Sequence, residues 1–267
     1  MTAVPDGRTR LVPIVGDPIA QVRSPGGVTE VFAQRGANIL CVPAHVVPAD
    51  FGVFMAAMRA TRNVDGIIIT IPHKFAAFEA CDTVSECARF LRSVNTIRRN
   101  AAGTLHGDMF DGLACVTACK EQGCVFDGRR ALLVGAGGAG TAIAHAAATA
   151  GLTALGIADL DSTRRDTLVA RLAGAGLPVH PATPDPAGYD IVLNATPLGM
   201  RASDPLPVRE AALSPHMFVG DVVTEPELPP LILAARRAGC KTSTGTGMFL
   251  KVRDLMVDFL LGPPDQT

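Results

Sequence analysis

A glycine-rich segment, VGAGGAG at residues 134–140, constrains the fold of this chain more than any other feature. It follows the apolar run RALLV, precedes a helix of small residues, and has the G-x-G-x-x-G pattern. In that pattern the first glycine allows a tight turn, the second a close approach of backbone to a pyrophosphate, and the third close packing of the helix. The segment therefore predicts a Rossmann dinucleotide-binding unit. The predicted phosphate-binding residues are Gly135, Ala136, Gly137, Gly138, Ala139 and Gly140.

The choice of nucleotide depends on the strand that follows this helix. The segment LGIAD ends at Asp159, about 20 residues beyond the glycines, where a carboxylate accepts hydrogen bonds from a ribose 2′-hydroxyl and repels a 2′-phosphate. Asp161 adds negative charge, whereas Arg164 and Arg165 could hold a phosphate but fall in the next predicted helix. The pattern favours NAD as the cofactor, with NADP as the alternative.

The composition indicates a chain with a large buried core. Of the 267 residues, 48% are hydrophobic and 18% are charged, and the formal net charge is −1 without any block of like charge. These values exclude a disordered chain and indicate neither a nucleic-acid nor a membrane partner. The seven cysteines lack metal-ligand spacing, and no apolar leader is visible. We therefore expect reduced thiols, no metal, a cytoplasmic location, and a monomer or a homodimer.

Strands alternate with helices along the chain, which predicts an α/β fold with largely parallel sheets. A first unit is expected at residues 1–111, ending in a β-hairpin over SVNTIRRNAAGTLHGD. A Rossmann unit is expected at residues 112–245. The amphipathic tail at 246–267 has helical spacing, and we expect it to pack back on the first unit.

One lysine directly follows an apolar strand. In GIIITIPHK, residues 66–74, Lys74 comes two residues after Pro72. A lysine at such a place is either a surface side chain or an acid–base group at the open edge of a sheet. Hydride transfer to or from an alcohol requires a proton to move at the oxygen of the same carbon, and a carboxylate can orient an ammonium for that step. The junction segment HGDMFDGL offers Asp108 and Asp111 as that carboxylate.

Over nearly its whole length the sequence resembles the shikimate/quinate dehydrogenases. The resemblance is specific because the motifs agree in order and in spacing. They are GDPIAQVRSP (16–25), TIPHK (70–74), SVNT (93–96), GDMFDG (107–112), VGAGGAG (134–140), NATPLGM (194–200), GDVV (220–223) and GTGM (245–248).

The resemblance implies roles for individual residues. It implies that the first unit, completed by the last helix, binds the substrate, a small cyclic hydroxy compound, and that Lys74 and Asp111 are the catalytic pair. Further positions that it assigns to the substrate are Ser24, Thr70, Asn95 and Met248, and further positions that it assigns to the nucleotide are Asn194, Thr196 and Gly245.

Several pocket positions depart from the family pattern. Val22 replaces the first of two carboxylate-binding serines, Ile68 an asparagine, Thr224 a tyrosine and Val252 a glutamine. The Asn-Thr pair of the family's usual G-D-N-T-D-G motif is Met109-Phe110 in this chain. The family's usual Asn-Arg-Thr segment, which binds the adenosine phosphate, is Asp159-Leu160-Asp161 here, and this again favours NAD. Each unpaired polar group of a ligand costs about 1–3 kcal/mol of binding.

Three interpretations of the function remain open. The first, which the departures favour, is an NAD-dependent dehydrogenase acting on a less polar relative of shikimate or another cyclic alcohol, with shikimate as a poor substrate. The second is an ordinary shikimate or quinate dehydrogenase. The third is a protein that binds a nucleotide or metabolite without catalysis, which the intact lysine, aspartate and glycine motif argue against.

Overall fold

The computed structural model of the chain describes residues 5–262. The chain divides into two compact units, one formed by Met1–Phe110 with Val252–Thr267 and the other by Asp111–Lys251. The last helix therefore begins in the second unit and ends in the first. Residues 263–267 of the expected C-terminal helix lie outside the described residues.

The first unit alternates short strands and helices. Its elements are β1 (Arg10–Gly16), α1 (Ser24–Gln34), β2 (Ile39–His45), α2 (Phe51–Ala60), β3 (Gly66–Ile69), α3 (Lys74–Glu79), β4 (Thr83–Val84), α4 (Glu86–Leu91), β5 (Thr96–Arg99) and β6 (Leu105–Asp108).

Among the described residues, the sheet of the first unit has six strands in the order β2-β1-β3-β5-β6-β4. The strands β2, β1 and β3 are parallel, whereas β5 runs antiparallel to both β3 and β6. All four residues of β3 are buried, as expected for a central strand covered on both faces. The expected hairpin is present, with the turn closed by a hydrogen bond from Gly103 N–H to Asn100 C=O.

The second unit is a parallel α/β unit. Its elements are α5 (Asp111–Glu121), β7 (Arg130–Val134), α6 (Gly138–Thr149), β8 (Ala154–Ala158), α7 (Ser162–Gly174), β9 (Val179–Pro181), β10 (Ile191–Asn194), β11 (Phe218–Asp221), α8 (Pro230–Arg237), β12 (Lys241–Ser243) and the first part of α9 (Gly245–Leu261).

Within residues 111–251 the strands form one parallel sheet of six in the order β12-β11-β10-β7-β8-β9. The chain proceeds outward from β7 in one direction and from β10 in the other, so the strand order reverses between these two neighbours. A crevice at the carboxyl ends of such strands is where open α/β sheets bind ligands. Buried Leu132, Val192, Val219 and Leu231 belong to the core beneath this edge.

The α/β fold class predicted from the sequence is confirmed. The strand that the segment GIIITIP (66–72) predicts ends early, at Ile69, and the chain turns before α3 begins at Lys74. No helix in residues 5–262 has the length and apolar character needed to cross a membrane.

Candidate functional site

In the glycine turn of the second unit, the three glycines of the G-x-G-x-x-G motif are suited to their positions for different physical reasons. Gly135 has φ +105°, and a Cβ there would lie 2.9 Å from the carbonyl oxygen of Ala195. A Cβ on Gly140 would lie 1.9 Å from the carbonyl oxygen of Gly135, so the helix packs against the turn itself. A Cβ on Gly137 would meet no atom within 4 Å. Open space at the second glycine, beside the N-terminus of α6, fits the phosphates of a dinucleotide.

Asp159 follows β8 and turns its carboxylate inward. The side chain is 5% exposed. One oxygen accepts a hydrogen bond from Ala136 N–H (2.6 Å) and the other from Asp161 N–H (2.8 Å). The guanidinium of Arg164 binds the same carboxylate, with Nη2 2.7 Å from Oδ1 and Nε 3.3 Å from Oδ2. The Arg164 side chain is 49% exposed, so the cation faces solvent beside a shielded acid.

The hydrogen bonds of Asp159 set its ionisation. Burial by itself would raise the pKa of Asp159, but hydrogen bonds from Arg164 and from the N–H groups of Ala136 and Asp161 bring that pKa below its ordinary value. Asp159 is therefore a carboxylate at neutral pH, and Arg164 largely neutralises it. This pairing removes most of the repulsion that the sequence analysis expected Asp159 to exert on a 2′-phosphate.

A buried polar network lies at the same edge of the sheet. Asn194 ends β10, pairs in register with Val134 of β7 and Asp221 of β11, and is 1% exposed. Its Oδ1 accepts hydrogen bonds from the hydroxyl (2.6 Å) and the N–H (3.0 Å) of Thr196. Its Nδ2 donates to Asp221 Oδ1 (3.1 Å). Two residues expected to bind the nucleotide, Asn194 and Thr196, are thus held together next to the glycine turn.

Gly245, the third such residue, opens α9 and is buried. A Cβ there would lie 2.2 Å from the carbonyl oxygen of Val223, so only glycine allows the helix to begin this close to the segment after β11. In that segment Thr224 is half-buried. Met248 is buried one turn into α9.

In the first unit, Lys74 opens α3 and is 9% exposed. Its carbonyl oxygen accepts a hydrogen bond from Val94 N–H (3.0 Å). The preceding residue, His73, is fixed by a ring stack on Phe51, with centroids 4.6 Å apart, and by a bond from its Nε2 to the carbonyl oxygen of Val46 (2.7 Å). Because a carbonyl only accepts, that nitrogen carries the proton. The lysine therefore starts from a rigid backbone.

Two further residues of the first unit lie close to the carboxyl end of β3. Thr70 N–H donates to Val15 C=O (2.9 Å), and Ile69 N–H donates to Asn95 C=O (2.7 Å). The Asn95 side chain is 2% exposed, and its Oδ1 accepts a hydrogen bond from Phe110 N–H (3.2 Å). The structure thus brings Thr70, Lys74 and Asn95 to one end of the first sheet. Asp111 follows Phe110 directly, opens α5 in the second unit and is 5% exposed.

The departing pocket positions of the first unit fall on ordered elements. Ile68 is buried within β3, Val252 is buried in α9, and Val22 is half-buried in the turn before α1. Ser24, which matches the family pattern, is buried at the start of α1. Phe110, which replaces a threonine of the family pattern, packs edge-on against Phe259 of the last helix, with ring centroids 5.3 Å apart. This substitution anchors the helix on the first unit.

Sequence reasoning missed Asp221 as a site residue. The signal was an acid at the end of an otherwise apolar strand, FVGD. Its side chain is 4% exposed, and burial raises the pKa of Asp221 to about 7.

All seven cysteines are free thiols, and residues 5–262 contain no cluster of His, Cys, Asp and Glu suited to a metal ion.

A parallel α/β unit with this glycine turn, in a chain whose other α/β unit carries a buried lysine, is typical of dehydrogenases of the Rossmann class. Residues 14–97 match the family model "Shikimate dehydrogenase substrate binding domain". A relative from Rubrobacter xylanophilus named "Shikimate dehydrogenase (NADP(+))" is 38% identical over 251 residues, which cover 92% of this chain and 88% of the relative.

Solved structures agree over the whole chain. A shikimate dehydrogenase crystallised with NADP⁺ superimposes with a TM-score of 0.91 at 25% identity, covering 98% of this chain and 93% of its own. A shikimate 5-dehydrogenase from Listeria monocytogenes, in complex with shikimate and NAD, gives 0.85 at 26% identity and covers 98% and 94%. The chain belongs to the shikimate dehydrogenase family and is an oxidoreductase of that type.

Proposed function

We propose that the protein oxidises a ring hydroxyl of shikimate to a ketone and reduces that ketone back, with a nicotinamide dinucleotide as the hydride carrier. Lys74 and Asp111 are the proposed acid–base residues. The observation that carries the proposal is the burial of Lys74: only 9% of it is exposed, directly beyond β3, in a chain 38% identical to a relative named shikimate dehydrogenase. A surface lysine can bury its stem but keeps its ammonium in water, and lysines are rarely this buried unless the charge has a partner.

The chemistry divides between the nucleotide and this chain's residues. A nicotinamide bound at the glycine turn would supply the acceptor or donor of the hydride. During oxidation the amine form of Lys74 takes the proton of the substrate hydroxyl and becomes the ammonium, and during reduction the ammonium gives that proton to the ketone oxygen. Asp111 supplies the carboxylate that orients the ammonium. The rigid start of α3 fixes the backbone of Lys74, so less entropy is lost when its side chain meets the substrate.

The nucleotide that we propose is NADP, which the sequence left as the alternative to NAD. Arg164 offers an exposed guanidinium where the sequence analysis expected a bare carboxylate, and guanidinium binds phosphate in a bidentate way. Relatives support this change, because the Rubrobacter protein is named for NADP(+). We propose that Arg164 binds the 2′-phosphate while the Asp159 carboxylate remains paired with the Ala136 N–H.

The substrate proposal is ordinary shikimate, which the sequence analysis held as the alternative. Names of relatives covering more than nine-tenths of this chain support it. A less polar cyclic alcohol is the second candidate, because Val22 and Ile68 place alkyl groups where the family has polar side chains. The two candidates differ in how much of the substrate's hydrogen-bonding capacity the protein must satisfy.

The test of this proposal is Lys74→Met, which removes the ammonium and keeps the stem. We expect kcat for shikimate oxidation to fall by roughly 10²–10⁴ while the affinity for NADPH changes by less than about threefold. Lys120→Met is the matched control, because Lys120 is exposed in the last turn of α5, and it should leave both values unchanged. Near-normal kcat in Lys74→Met would show that another group moves the proton.

A further inference from the structure

Asp221 is the only described carboxylate with a buried oxygen that lacks a hydrogen-bond partner in residues 5–262. That oxygen is Oδ2. The other, Oδ1, accepts from Asn194 Nδ2 (3.1 Å) and from Val223 N–H (2.9 Å). A buried acid with an unsatisfied oxygen costs stability, because desolvation of the oxygen is not compensated. The residues that bind the other oxygen, Oδ1, indicate what this carboxylate holds in place.

The first partner, Asn194, has its amide orientation fixed. Its NH₂ group donates to Asp221 Oδ1 and to the carbonyl oxygen of Leu198 (3.3 Å), while its Oδ1 accepts both donors of Thr196. A flipped amide would oppose oxygen to oxygen at Asp221 and NH₂ to N–H at Thr196. Together with the Thr196 N–H and the Leu198 carbonyl, Asp221 therefore selects one of two amide orientations that have nearly the same shape, and it provides the shorter of the two acceptor contacts to the NH₂ group.

The turn after β10 depends on that orientation. The Thr196 hydroxyl donates to Asn194 Oδ1 and accepts from Leu198 N–H (3.2 Å), which closes the turn NATPLG on itself. This turn lies directly on the glycine motif, since a Cβ on Gly135 would lie 2.9 Å from Thr196 Cγ2 and from the Ala195 carbonyl group. A change at Asp221 thus reaches Gly135 through two residues, Asn194 and Thr196.

We propose that Asp221 is a positioning residue of the dinucleotide site, which acts through the Asn194 amide to hold the Thr196 turn against Gly135. The proposal rests on the proposed function, because it assumes that the glycine turn binds NADP(H) or NAD(H). It makes Asp221 important for nucleotide affinity rather than for the proton transfer at the substrate.

Three variants of Asp221 and its neighbours test the role. Asp221→Ala removes the acceptor, and we expect the Kd for NADPH, measured by fluorescence titration without substrate, to rise about tenfold. The Kd for NADH should rise similarly, with kcat at saturating nucleotide within about threefold of the wild type. Asp221→Asn keeps an oxygen acceptor of the same shape and should restore most of the affinity. Ser243→Ala, a buried hydroxyl on the adjacent strand β12, is the matched control and should change nothing.

A double-mutant cycle separates positioning from general loss of packing. Because Asp221 acts through Asn194, adding Asp221→Ala to Asn194→Ala should weaken NADPH binding by less than about twofold more. Additive losses, an unchanged Kd in Asp221→Ala, or a loss in Asp221→Asn equal to that in Asp221→Ala would each overturn the proposal. A wild-type protein that binds neither NADPH nor NADH would instead overturn the proposed function, and the role of Asp221 with it.

Discussion

Arg164 is the residue that we propose as the cationic partner of a 2′-phosphate, next to the Asp159 carboxylate. Its guanidinium covers the Asp159 carboxylate, so we expect Arg164→Met to lower kcat/KM for NADP⁺ about tenfold and to leave the value for NAD⁺ within about threefold. Arg165→Met is the control, because Arg165 pairs with Asp166 instead. Equal effects on both nucleotides would show that Arg164 only supports the turn.

The ionisation of Asp221 should be visible in stability. Burial raises the pKa of Asp221 from 3.8 to about 7, so between these pH values the folded protein keeps a proton that the unfolded chain has lost. The free energy of unfolding contributed by this group therefore falls as pH rises from about 4 to about 7, and stays constant above that.

The Asp221→Asn variant should not show this fall in the free energy of unfolding, because asparagine has no proton to lose in this pH range. We expect the variant to gain stability relative to the wild type as pH rises from 5 to 8, by an amount on the order of 2–4 kcal/mol. The measurement is thermal or denaturant unfolding of the nucleotide-free proteins across that range. Parallel stability curves for the two proteins would contradict the assignment of a raised pKa to Asp221.

The glycine turn is the element to which we assign the phosphates of the dinucleotide, and its glycines should respond differently to alanine. Gly140→Ala places a methyl group against the carbonyl oxygen of Gly135, so we expect a loss of about 2 kcal/mol or more, which is roughly 4 °C or more in Tm. Gly137→Ala meets only open space and should keep the wild-type Tm. It should nevertheless raise the Kd for NADPH about tenfold, since its methyl group would occupy ligand space.

This pair of variants tests the predicted roles of the glycines one at a time. A Gly137→Ala protein with unchanged affinity would place the phosphates elsewhere. A Gly140→Ala protein with unchanged Tm would mean that α6 can shift away from the turn without cost.

Elements with strong local signals could be predicted from the sequence, and elements that depend on distant partners could not. The glycine turn, β3 and the last helix have patterns within single segments of the chain. Thr83–Val84 and Val179–Pro181 are strands only because β6 and β8 pair with them. Such two- and three-residue strands have no periodicity of their own.

The candidate site shows the same limit. Lys74 and the glycine motif could be identified from the sequence, because each follows an apolar strand. The pairing of Arg164 with Asp159 could not, because it depends on how Asp161 caps α7 and brings the first turn of that helix back toward the strand. The charge of Asp159 alone favours NAD, but Arg164 offsets that charge in the folded protein.

For the whole molecule, the identity of the substrate decides between the two candidate functions. Val22→Ser combined with Thr224→Tyr restores two hydroxyl groups of the family pattern. If shikimate is the natural substrate, the double variant should change kcat/KM for shikimate by less than about tenfold, because this protein already satisfies the carboxylate in another way. A rise of roughly 10²–10⁴ would instead show that Val22 and Thr224 exclude shikimate.

Steady-state oxidation of shikimate by the wild-type protein, with NADP⁺ and NAD⁺ compared at saturation, tests the central claim most directly. The account predicts kcat/KM of about 10⁴ M⁻¹s⁻¹ or more with at least one nucleotide, within the ordinary range for enzymes. Quinate and less polar cyclic alcohols serve as competing substrates in the same assay. A value for shikimate below about 10² M⁻¹s⁻¹ with both nucleotides, alongside faster turnover of a less polar alcohol, would contradict it.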